Sequence, residues 1–390
     1  MTAGIIGSGA MGAGIAQVIA SAGNQVLLLD VNADALENAG KNIRSSLDKL
    51  VAKGSMSVEK AETVFQQITL TQDYTTFSDC DLVIEAIVED LELKQQLFRE
   101  LNLFISDECI VASNTSSLSI ASIAAVCKNP SQFIGIHFFN PAALMQLVEV
   151  VPAIQTREGL AEEVKAMVLE WGKIPVIAKD TPGFIVNRVA RPFYGEAIRI
   201  MEEGIADCAT IDWAMTFMGG FRMGPFTLMD FIGHDVNYRV TESVFQSFFY
   251  DPRYKPSFTQ KRLFEAGYFG KKSGKGFYNY CEGIEKPEPI KDEQLGNLIV
   301  ERMVAMLMNE AAEALAMNIA SANDLEIAMT KGVNYPKGLL SWADEWGIEK
   351  VIAVLDGLYH EYHEDRYRVS GLLRRMNREG KRFFEKSKES

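Results

Sequence analysis

The sequence predicts an α/β domain of the Rossmann type, with helices on a parallel β-sheet, followed by two repeated all-α domains. Three observations support this prediction. Short β-branched runs alternate with longer helical patterns in the first part of the chain, which is typical of a parallel sheet wrapped by helices. The alternation stops at residues 180–183, where the run Asp-Thr-Pro-Gly marks a boundary. Beyond it, one helical pattern occurs twice.

The predicted strands are short and apolar, and each is separated from the next by a segment with helical periodicity. They cover residues 5–6, 26–29, 82–87, 110–112, 134–137, 147–151 and 175–178. We expect them to form one parallel sheet whose strand ends meet at a ligand-binding edge.

The helical part contains an internal repeat with a constant offset of 114 residues. Residues 184–188 resemble residues 298–302, and the register holds without a gap through Glu196/Glu310, Ala197/Ala311, Gly224/Gly338, Asp230/Asp344 and Gly233/Gly347. Chance would not preserve one register over that length. The sequence therefore predicts three domains: residues 1–179, a first repeat at 180–285 and a second repeat at 292–380. We expect the polar tail, residues 381–390, to be frayed.

Composition excludes several classes of function. The chain of 390 residues carries a formal net charge of −13, which argues against a general affinity for nucleic acid or anionic membrane. No apolar stretch approaches the roughly 20 residues that cross a bilayer. The five cysteines are odd in number and widely spaced, which favours a reducing compartment over a disulfide framework or a metal site. Because the N-terminus also lacks a secretory or transit pattern, we expect a cytoplasmic protein.

A glycine-rich turn follows the first predicted strand, with G-x-G-x-x-G spacing over residues 7–12. The first glycine of such a turn permits the tight bend, the second lets the backbone approach a pyrophosphate, and the third lets helix and strand pack closely. The second predicted strand is followed by Asp30 and by no Arg. A carboxylate there binds the ribose 2′-hydroxyl and repels a 2′-phosphate, unless it merely caps the next helix. The combination predicts a dinucleotide-binding domain for NAD, held by Gly7, Gly9, Ala10, Met11, Gly12 and Asp30.

Polar side chains follow or end two further predicted strands. Ser116 lies just after the strand at 110–112, and His137 ends the strand at 134–137, so both are expected beside a bound nicotinamide. Glu149 stands in an otherwise apolar strand and needs a partner. A His137–Glu149 pair would supply one, and it would stabilise the imidazolium that forms when histidine takes an alcohol proton. The alternatives are a histidine buried in the core and a glutamate that pairs with a surface Lys or Arg.

These segments resemble a known family. Residues 112–118 (ASNTSSL), 137–141 (HFFNP), 147–149 (LVE) and 179–188 (KDTPGFIVNR) are similar to the signature series of the 3-hydroxyacyl-CoA dehydrogenases. The resemblance extends from about residue 4 to residue 280. The second repeat resembles the doubled C-terminal part of the longer members of that family.

The resemblance implies an activity and a set of site residues. The expected reaction is the reversible, NAD-dependent oxidation of (S)-3-hydroxyacyl-CoA to 3-oxoacyl-CoA, in fatty-acid β-oxidation or butanoate metabolism. The implied catalytic residues are His137 as general base, Glu149 as its partner, and Ser116 and Asn187 as groups that position the substrate oxygen. By the same matching, Glu89, Lys94, Asn140 and Lys272 would touch NAD, and Ser46 and Lys53 would touch coenzyme A. From the residues alone, Lys53 could equally be an ordinary lysine at a helix C-terminus.

Two other functions stay open. An NAD-dependent dehydrogenase of another hydroxy acid or sugar acid, like the lambda-crystallin-like enzymes, would not depend on Ser46 and Lys53. A retired enzyme with a structural role would keep the fold without turnover. The second repeat has Glu301 where the first has Asn187, so we expect it to be structural. By occupying the surface through which shorter members dimerise, it would permit a monomer, or a dimer through another face.

Overall fold

The computed structural model describes residues 1–385. The chain divides into two compact units, Met1–Phe184 and a second unit that begins at Ile185. The predicted first boundary, between residues 179 and 180, lies slightly earlier than this division. Among the described residues, no helix has both the length and the apolar character that a membrane span requires.

In the described part of the chain, the first unit is built on an eight-stranded sheet with the order β3-β2-β1-β4-β5-β6-β7-β8. The strands are β1 (Thr2–Ile6), β2 (Gln25–Leu29), β3 (Ile68–Thr71), β4 (Leu82–Glu85), β5 (Ile110–Ser113), β6 (Phe133–Phe138), β7 (Leu147–Pro152) and β8 (Ile174–Ile177). The predicted strands correspond to all of these except β3. This strand was missed because it is a short, partly exposed strand at the sheet edge and lacks the continuous apolar run of the buried strands.

The prediction of an all-parallel sheet is wrong at β7, which runs antiparallel to β6. The remaining neighbouring strands are parallel, including β7 and β8. Only residues 139–146 connect β6 to β7, whereas a parallel crossover needs a dozen or more residues, usually with a helix. The short connection therefore forces the chain to turn back. As a result, His137 on β6 pairs in register with Glu149 on β7.

Helices pack on this sheet and bury its apolar side chains. They are α1 (Ala10–Ser21), α2 (Ala33–Ala52), α3 (Val58–Gln66), α4 (Leu91–Leu101), α5 (Ile120–Ala124) and α6 (Leu160–Glu170). The side chains of Ile5, Leu28 and Ile84, from three adjacent strands, are buried in the core between the layers. Asp180 accepts hydrogen bonds from the backbone of Ile120 and Ala121 at the start of α5, which ties the boundary segment to the first unit.

The second unit is helical. Its first part contains α7 (Val186–Val189), α8 (Arg191–Glu202), α9 (Cys208–Trp213), α10 (Pro225–Ile232), α11 (His234–Ser247) and α12 (Phe258–Glu265). Its second part contains α13 (Glu293–Ala316), α14 (Ala322–Ile327), α15 (Leu339–Trp346), α16 (Ile348–Tyr362) and α17 (Gly371–Glu379).

Positions related by the predicted offset adopt matching local structures. Asp212 accepts hydrogen bonds from the first backbone N–H groups of α10, and Glu326 does the same for α15. A π-helical turn occurs at Ala214–Met218 and again at Ala328–Gly332. These correspondences support a repeat, while its boundaries at 180–285 and 292–380 stay a prediction.

Reciprocal buried ion pairs join the first and second parts of this unit. The Nε atom of Arg188 lies 2.7 Å from a carboxylate oxygen of Glu310, and Nε of Arg302 lies 2.6 Å from Glu196. The two arginines are equivalent under the offset, and so are the two glutamates. Each part therefore supplies the partner of the other, which is the reciprocal pattern of a two-fold interface.

The predicted fraying of the tail is wrong for its first residues. The backbone N–H groups of Phe383 and Phe384 donate to the carboxylate of Asp344 at 3.0 and 2.9 Å. Asp230 is the equivalent residue of the first repeat, and its carboxylate accepts hydrogen bonds from the backbone N–H groups of Phe277 and Tyr278. The sequence did not reveal this anchor because the acceptor lies about 40 residues upstream. Residues 386–390 of the predicted frayed tail lie outside the described residues.

Candidate active site

The glycine turn between β1 and α1 uses its three glycines for different reasons. Gly7 has φ of 101°, in the left-handed region that favours glycine. A Cβ atom on Gly12 would lie 1.7 Å from the carbonyl oxygen of Gly7, so the close packing of the turn requires glycine there. A Cβ atom on Gly9 would meet no described atom within 4 Å. The fold thus requires Gly7 and Gly12, whereas only a ligand close to the backbone would require Gly9.

Replacing Gly9 by Ala is expected to weaken NADH binding and to leave the free energy of unfolding nearly unchanged. The added methyl group would occupy the space through which a pyrophosphate approaches α1, and we expect the Kd to rise roughly tenfold, or about 1.4 kcal/mol. Fluorescence titration with NADH and thermal unfolding measure the two effects. The matched control, Gly12→Ala, should cost about 1–3 kcal/mol of stability. Equal destabilisation by both changes would contradict this assignment.

Asp30 follows β2 and faces the glycine turn. Its carboxylate accepts hydrogen bonds from the backbone and hydroxyl of Ser8, both at 2.8 Å, and from the backbone of Asn32 at 3.0 Å. Burial by itself raises the pKa of Asp30, but these hydrogen bonds outweigh it and lower the pKa. The carboxylate is therefore charged at neutral pH, as an acceptor for ribose hydroxyls must be.

A cavity of about 330 Å³ adjoins this carboxylate and the glycine turn. Val31, Tyr74 and Leu97 give it apolar walls, which suits a flat heteroaromatic base. Sequence reasoning missed these residues. One signal was present, because Val31 directly follows Asp30, and its side chain is 75% exposed.

The histidine and the glutamate predicted as a pair do meet. Nδ1 of His137 lies 2.7 Å from Oε2 of Glu149, and both side chains are buried. A carboxylate can only accept, so Nδ1 carries the proton, and Nε2 is the basic nitrogen. The rings of Phe139 and Phe184 lie 4.5 and 5.9 Å from the imidazole, measured between centroids. Pairing and packing together hold the imidazole in one orientation.

Glu89 organises the segment that contains Ser116. Its Oε1 atom accepts hydrogen bonds from the backbone of Ser116 at 2.9 Å and from the Thr115 hydroxyl at 2.7 Å. The backbone of Ser117 also donates, at 3.1 Å. Sequence reasoning linked Glu89 only to NAD, because residues 89 and 116 are distant in the chain. In the structure this carboxylate fixes the position of the predicted substrate-binding serine.

The buried side chain of Lys94 contacts Glu89 and a second carboxylate, Glu85. The lysine side chain is 1% exposed, and Nζ lies 2.5 Å from Glu85 and 3.4 Å from Glu89. Burial raises the pKa of Glu89, but the charge of Lys94 and the hydroxyl donors outweigh it and lower the pKa. The observed contacts of Lys94 are thus with two carboxylates and with the carbonyl oxygen of Ile87, and its contact with NAD stays a prediction.

Ser46 and Lys53 line one open cavity of about 660 Å³ on the first unit. They are seven residues apart on α2 and its C-cap, so they share a helix face. Lys49, which sequence reasoning missed, lines the same cavity. Ser46 also lines a neighbouring cavity of about 490 Å³ that includes Gly9. The 660 Å³ cavity, called the groove below, therefore lies next to a cavity that reaches the glycine turn.

Three further predicted site residues are Asn140, Asn187 and Lys272. Asn140 follows β6 and forms a cis peptide bond with Pro141. Asn187 lies in α7, and Lys272 pairs with Asp235 at 2.5 Å. These last two belong to the second unit, and their contacts with substrate and NAD stay predictions.

The five cysteines are free thiols. Burial raises the pKa of Cys80, Cys109, Cys127 and Cys208 to about 12, so these thiols are poor nucleophiles and metal ligands at neutral pH. Within residues 1–385, no group of three or more His, Cys, Asp and Glu side chains could hold a metal ion.

A buried histidine–carboxylate pair in a sheet whose first turn suits a dinucleotide places the chain among the NAD-dependent dehydrogenases. Comparison with protein families narrows this class. The model of the 3-hydroxyacyl-CoA dehydrogenase NAD binding domain matches residues 2–181. The model of the C-terminal domain matches twice, at residues 183–280 and 298–389. The chain belongs to the 3-hydroxyacyl-CoA dehydrogenase family.

Individual relatives agree with this membership. A 3-hydroxyadipyl-CoA dehydrogenase of Escherichia coli is 37% identical, over 96% of this chain and 96% of the relative. A probable 3-hydroxybutyryl-CoA dehydrogenase of Deinococcus radiodurans is 43% identical, over 72% of this chain and all of its own length. The crystal structure of a 3-hydroxybutyryl-CoA dehydrogenase from E. coli superimposes with a TM-score of 0.91 at 36% identity, covering 97% of this chain and 98% of the other.

Proposed function

We propose that this chain oxidises (S)-3-hydroxyacyl-CoA to 3-oxoacyl-CoA reversibly with NAD, and that His137 is the general base. The observation that carries the proposal is the buried hydrogen bond of 2.7 Å between His137 and Glu149. This hydrogen bond occupies Nδ1, so Nε2 is the basic nitrogen, and it fixes the orientation of the imidazole ring. Membership of the family supports the choice of substrate.

The glycine turn and Asp30 fit NAD, because Gly9 leaves the approach to α1 open and Asp30 is an ionised acceptor. When bound there, NAD supplies the hydride acceptor. His137 takes the proton of the 3-hydroxyl group on Nε2, and Glu149 stabilises the resulting imidazolium. In the reductive direction, the imidazolium returns the proton. Ser116, positioned by Glu89, and Asn187 hold the substrate oxygen.

The groove that contains Ser46 and Lys53 is the proposed site for the nucleotide part of coenzyme A. This part carries phosphates, and a chain with a net charge of −13 can attract it only through local cations. Lys49 and Lys53 are exposed in the groove. The Nζ atom of Lys173, by contrast, binds the carbonyl oxygens of Ala142 and Met145 at 2.6 and 2.7 Å, so it holds the groove wall.

Replacing Lys53 by Ala is expected to raise the KM for acetoacetyl-CoA roughly fivefold, since an exposed ion pair is worth up to about 1 kcal/mol. Steady-state kinetics measure this, and the Kd for NADH should not change. Lys60→Ala is the matched control, because Lys60 is exposed on α3 outside the groove. An unchanged KM for Lys53→Ala would favour a hydroxy acid or sugar acid without coenzyme A.

The proposed reaction is tested by oxidation of NADH with acetoacetyl-CoA, followed by absorbance. Turnover is expected. Failure on every 3-oxoacyl-CoA tested would contradict the proposal and favour either another substrate or a retired enzyme.

We propose further that the chain can act as a monomer, or as a dimer through another face, with domains at 1–179, 180–285 and 292–380. The reciprocal pairs Arg188–Glu310 and Arg302–Glu196 support this, because they join the two repeats in the way that the pairs of a two-fold interface join two subunits. Glu301, which replaces Asn187 in the second repeat, pairs with Lys350, so its carboxylate already has a partner within that repeat. Light scattering that reveals tight dimerisation through residues 184–280 would contradict the monomer. The free thiols support a cytoplasmic location.

A further inference from the structure

Arg191, the first residue of α8, is buried and has no carboxylate partner in the described part of the chain. Four arginines are buried among the described residues, and the other three each form a salt bridge with a glutamate. Arg191 is 7% exposed, and its Nη1 atom donates to the Thr241 hydroxyl at 3.2 Å. Its guanidinium lies over the Tyr194 ring, 4.8 Å from the centroid. Its Nε atom is buried and has no acceptor within residues 1–385.

A second unsatisfied donor lies in the same cluster. The hydroxyl of Tyr335 is buried and has no hydrogen-bond partner among the described residues. Burial lowers the pKa of Arg191, and only the nearby hydroxyl groups of Tyr194 and Tyr335 act in the opposite direction. A buried charge without a partner costs free energy. This cluster therefore carries donors that residues 1–385 do not satisfy.

The second repeat shows that the fold does not need this arginine. Under the offset of 114 residues, Arg191 corresponds to Ala305 and Thr241 to Leu355. Both of these apolar residues are fully buried. The same helix packing is thus achieved elsewhere in the chain with an apolar pair. The reason for Arg191 must lie in something that the first repeat does and the second does not.

Arg191 follows Asn187 by four residues. Ala190 is the single residue between α7 and α8, and it has helical φ and ψ of −80° and −10°. The side chains of Asn187 and Arg191 therefore project from similar sides of one nearly continuous helix. Residues at that spacing are neighbours on a helix surface, with Cβ atoms about 5–6 Å apart. The second repeat lacks both residues, with Glu301 and Ala305 at the equivalent positions.

We propose that Arg191 binds a carboxylate at the far end of the acyl chain, so that the substrates are short 3-hydroxyacyl- and 3-oxoacyl-CoA thioesters that end in a second carboxylate. A planar guanidinium matches a carboxylate in geometry and charge. The Tyr335 hydroxyl adds a further donor in the same cluster. The inference rests on the proposed function, in which Asn187 holds the oxygen at C3.

The test compares 3-oxoadipyl-CoA with 3-oxohexanoyl-CoA, which has the same chain length but no second carboxylate. The wild type should have the higher kcat/KM for 3-oxoadipyl-CoA. In Arg191→Met the ratio of the two kcat/KM values should fall about 10²-fold, the effect of losing a hydrogen bond to a charged group. The matched control is Arg199→Met on the same helix, where Arg199 already pairs with Glu364 at 3.0 Å. Its ratio should not change.

Thermal unfolding separates this role from a structural one. Because Arg191 is buried and unpaired, Arg191→Met should unfold at the same temperature as the wild type or higher. A lower melting temperature together with an unchanged ratio would overturn the inference. Arg191→Lys keeps the charge without the planar fork, so it should give an intermediate ratio even if the Met variant does not fold. A wild-type ratio in Arg191→Lys would also overturn the inference.

Failure of the inference is distinguishable from failure of the proposed function. If the wild type reduces 3-oxohexanoyl-CoA at least as well as 3-oxoadipyl-CoA, the role of Arg191 is wrong and the proposed reaction stands. If it reduces neither, the proposed reaction is wrong. Calorimetry with adipyl-CoA and hexanoyl-CoA then still decides the role of Arg191, since tighter binding of adipyl-CoA is expected in the wild type but not in Arg191→Met.

Discussion

Replacing His137 by Ala is expected to lower kcat for acetoacetyl-CoA reduction about 10²–10⁴-fold, the usual contribution of a general acid or base. The variant loses the only group that we assign to carry the proton. Binding of NADH should persist, because the glycine turn and Asp30 lie elsewhere on the sheet. Steady-state kinetics and a NADH titration measure the two effects.

Two further variants control for side effects of that change. His137→Gln keeps an N–H donor for Glu149, which is buried, and should lose activity to a similar degree without a large loss of stability. His360→Ala removes an exposed histidine of α16 and should retain wild-type kcat. A loss of less than tenfold in His137→Ala would show that another group carries the proton.

Replacing Glu310 by Leu is expected to lower the free energy of unfolding by about 3–5 kcal/mol, the cost of removing one partner from a buried ion pair. The Glu310 carboxylate binds Arg188 at 2.7 Å and the Tyr254 hydroxyl at 2.5 Å, and Arg253 lies 3.5 Å away. All of these donors would lose a buried acceptor. Chemical denaturation measures the loss.

Two comparisons establish that the loss comes from the unpaired arginine. The double variant Arg188→Met, Glu310→Leu removes both charges and should be more stable than Glu310→Leu alone. Glu345→Leu breaks the exposed pair with Lys337 and should cost less than about 1 kcal/mol. If Glu310→Leu cost no more than Glu345→Leu, the buried pairs would not hold the two parts of the helical unit together.

The same carboxylate gives the unit a defined response to acid. Burial raises the pKa of Glu310, but Arg188 and Arg253 outweigh it and lower the pKa below its ordinary value. A carboxyl group whose pKa is lower in the folded state contributes its full stabilisation above the unfolded-state pKa. That contribution is lost as the pH falls through the folded-state pKa. The difference in stability between wild type and Glu310→Leu should therefore shrink in acid.

Sequence patterns identified the glycine turn and Asp30 because the signals of both are local. Gly7, Gly9 and Gly12 act through their own backbone geometry, and Asp30 follows directly on the neighbouring strand. By contrast, Glu89 receives its hydrogen bonds from residues 115–117. No pattern within a short window relates a carboxylate to donors on a different loop, so its role in positioning Ser116 was missed.

By itself, the sequence determined the α/β class, the glycine turn with its carboxylate, the repeat and the residues of the His–Glu pair. These features depend on backbone preferences, hydrophobic periodicity and a register along one chain. Tertiary structure decided that β7 runs antiparallel, which aligns His137 with Glu149. It also decided which buried charges have partners, leaving Arg191 alone without a carboxylate among the four buried arginines of residues 1–385. Those outcomes depend on which distant groups packing brings within hydrogen-bonding distance, and no local pattern encodes that distance.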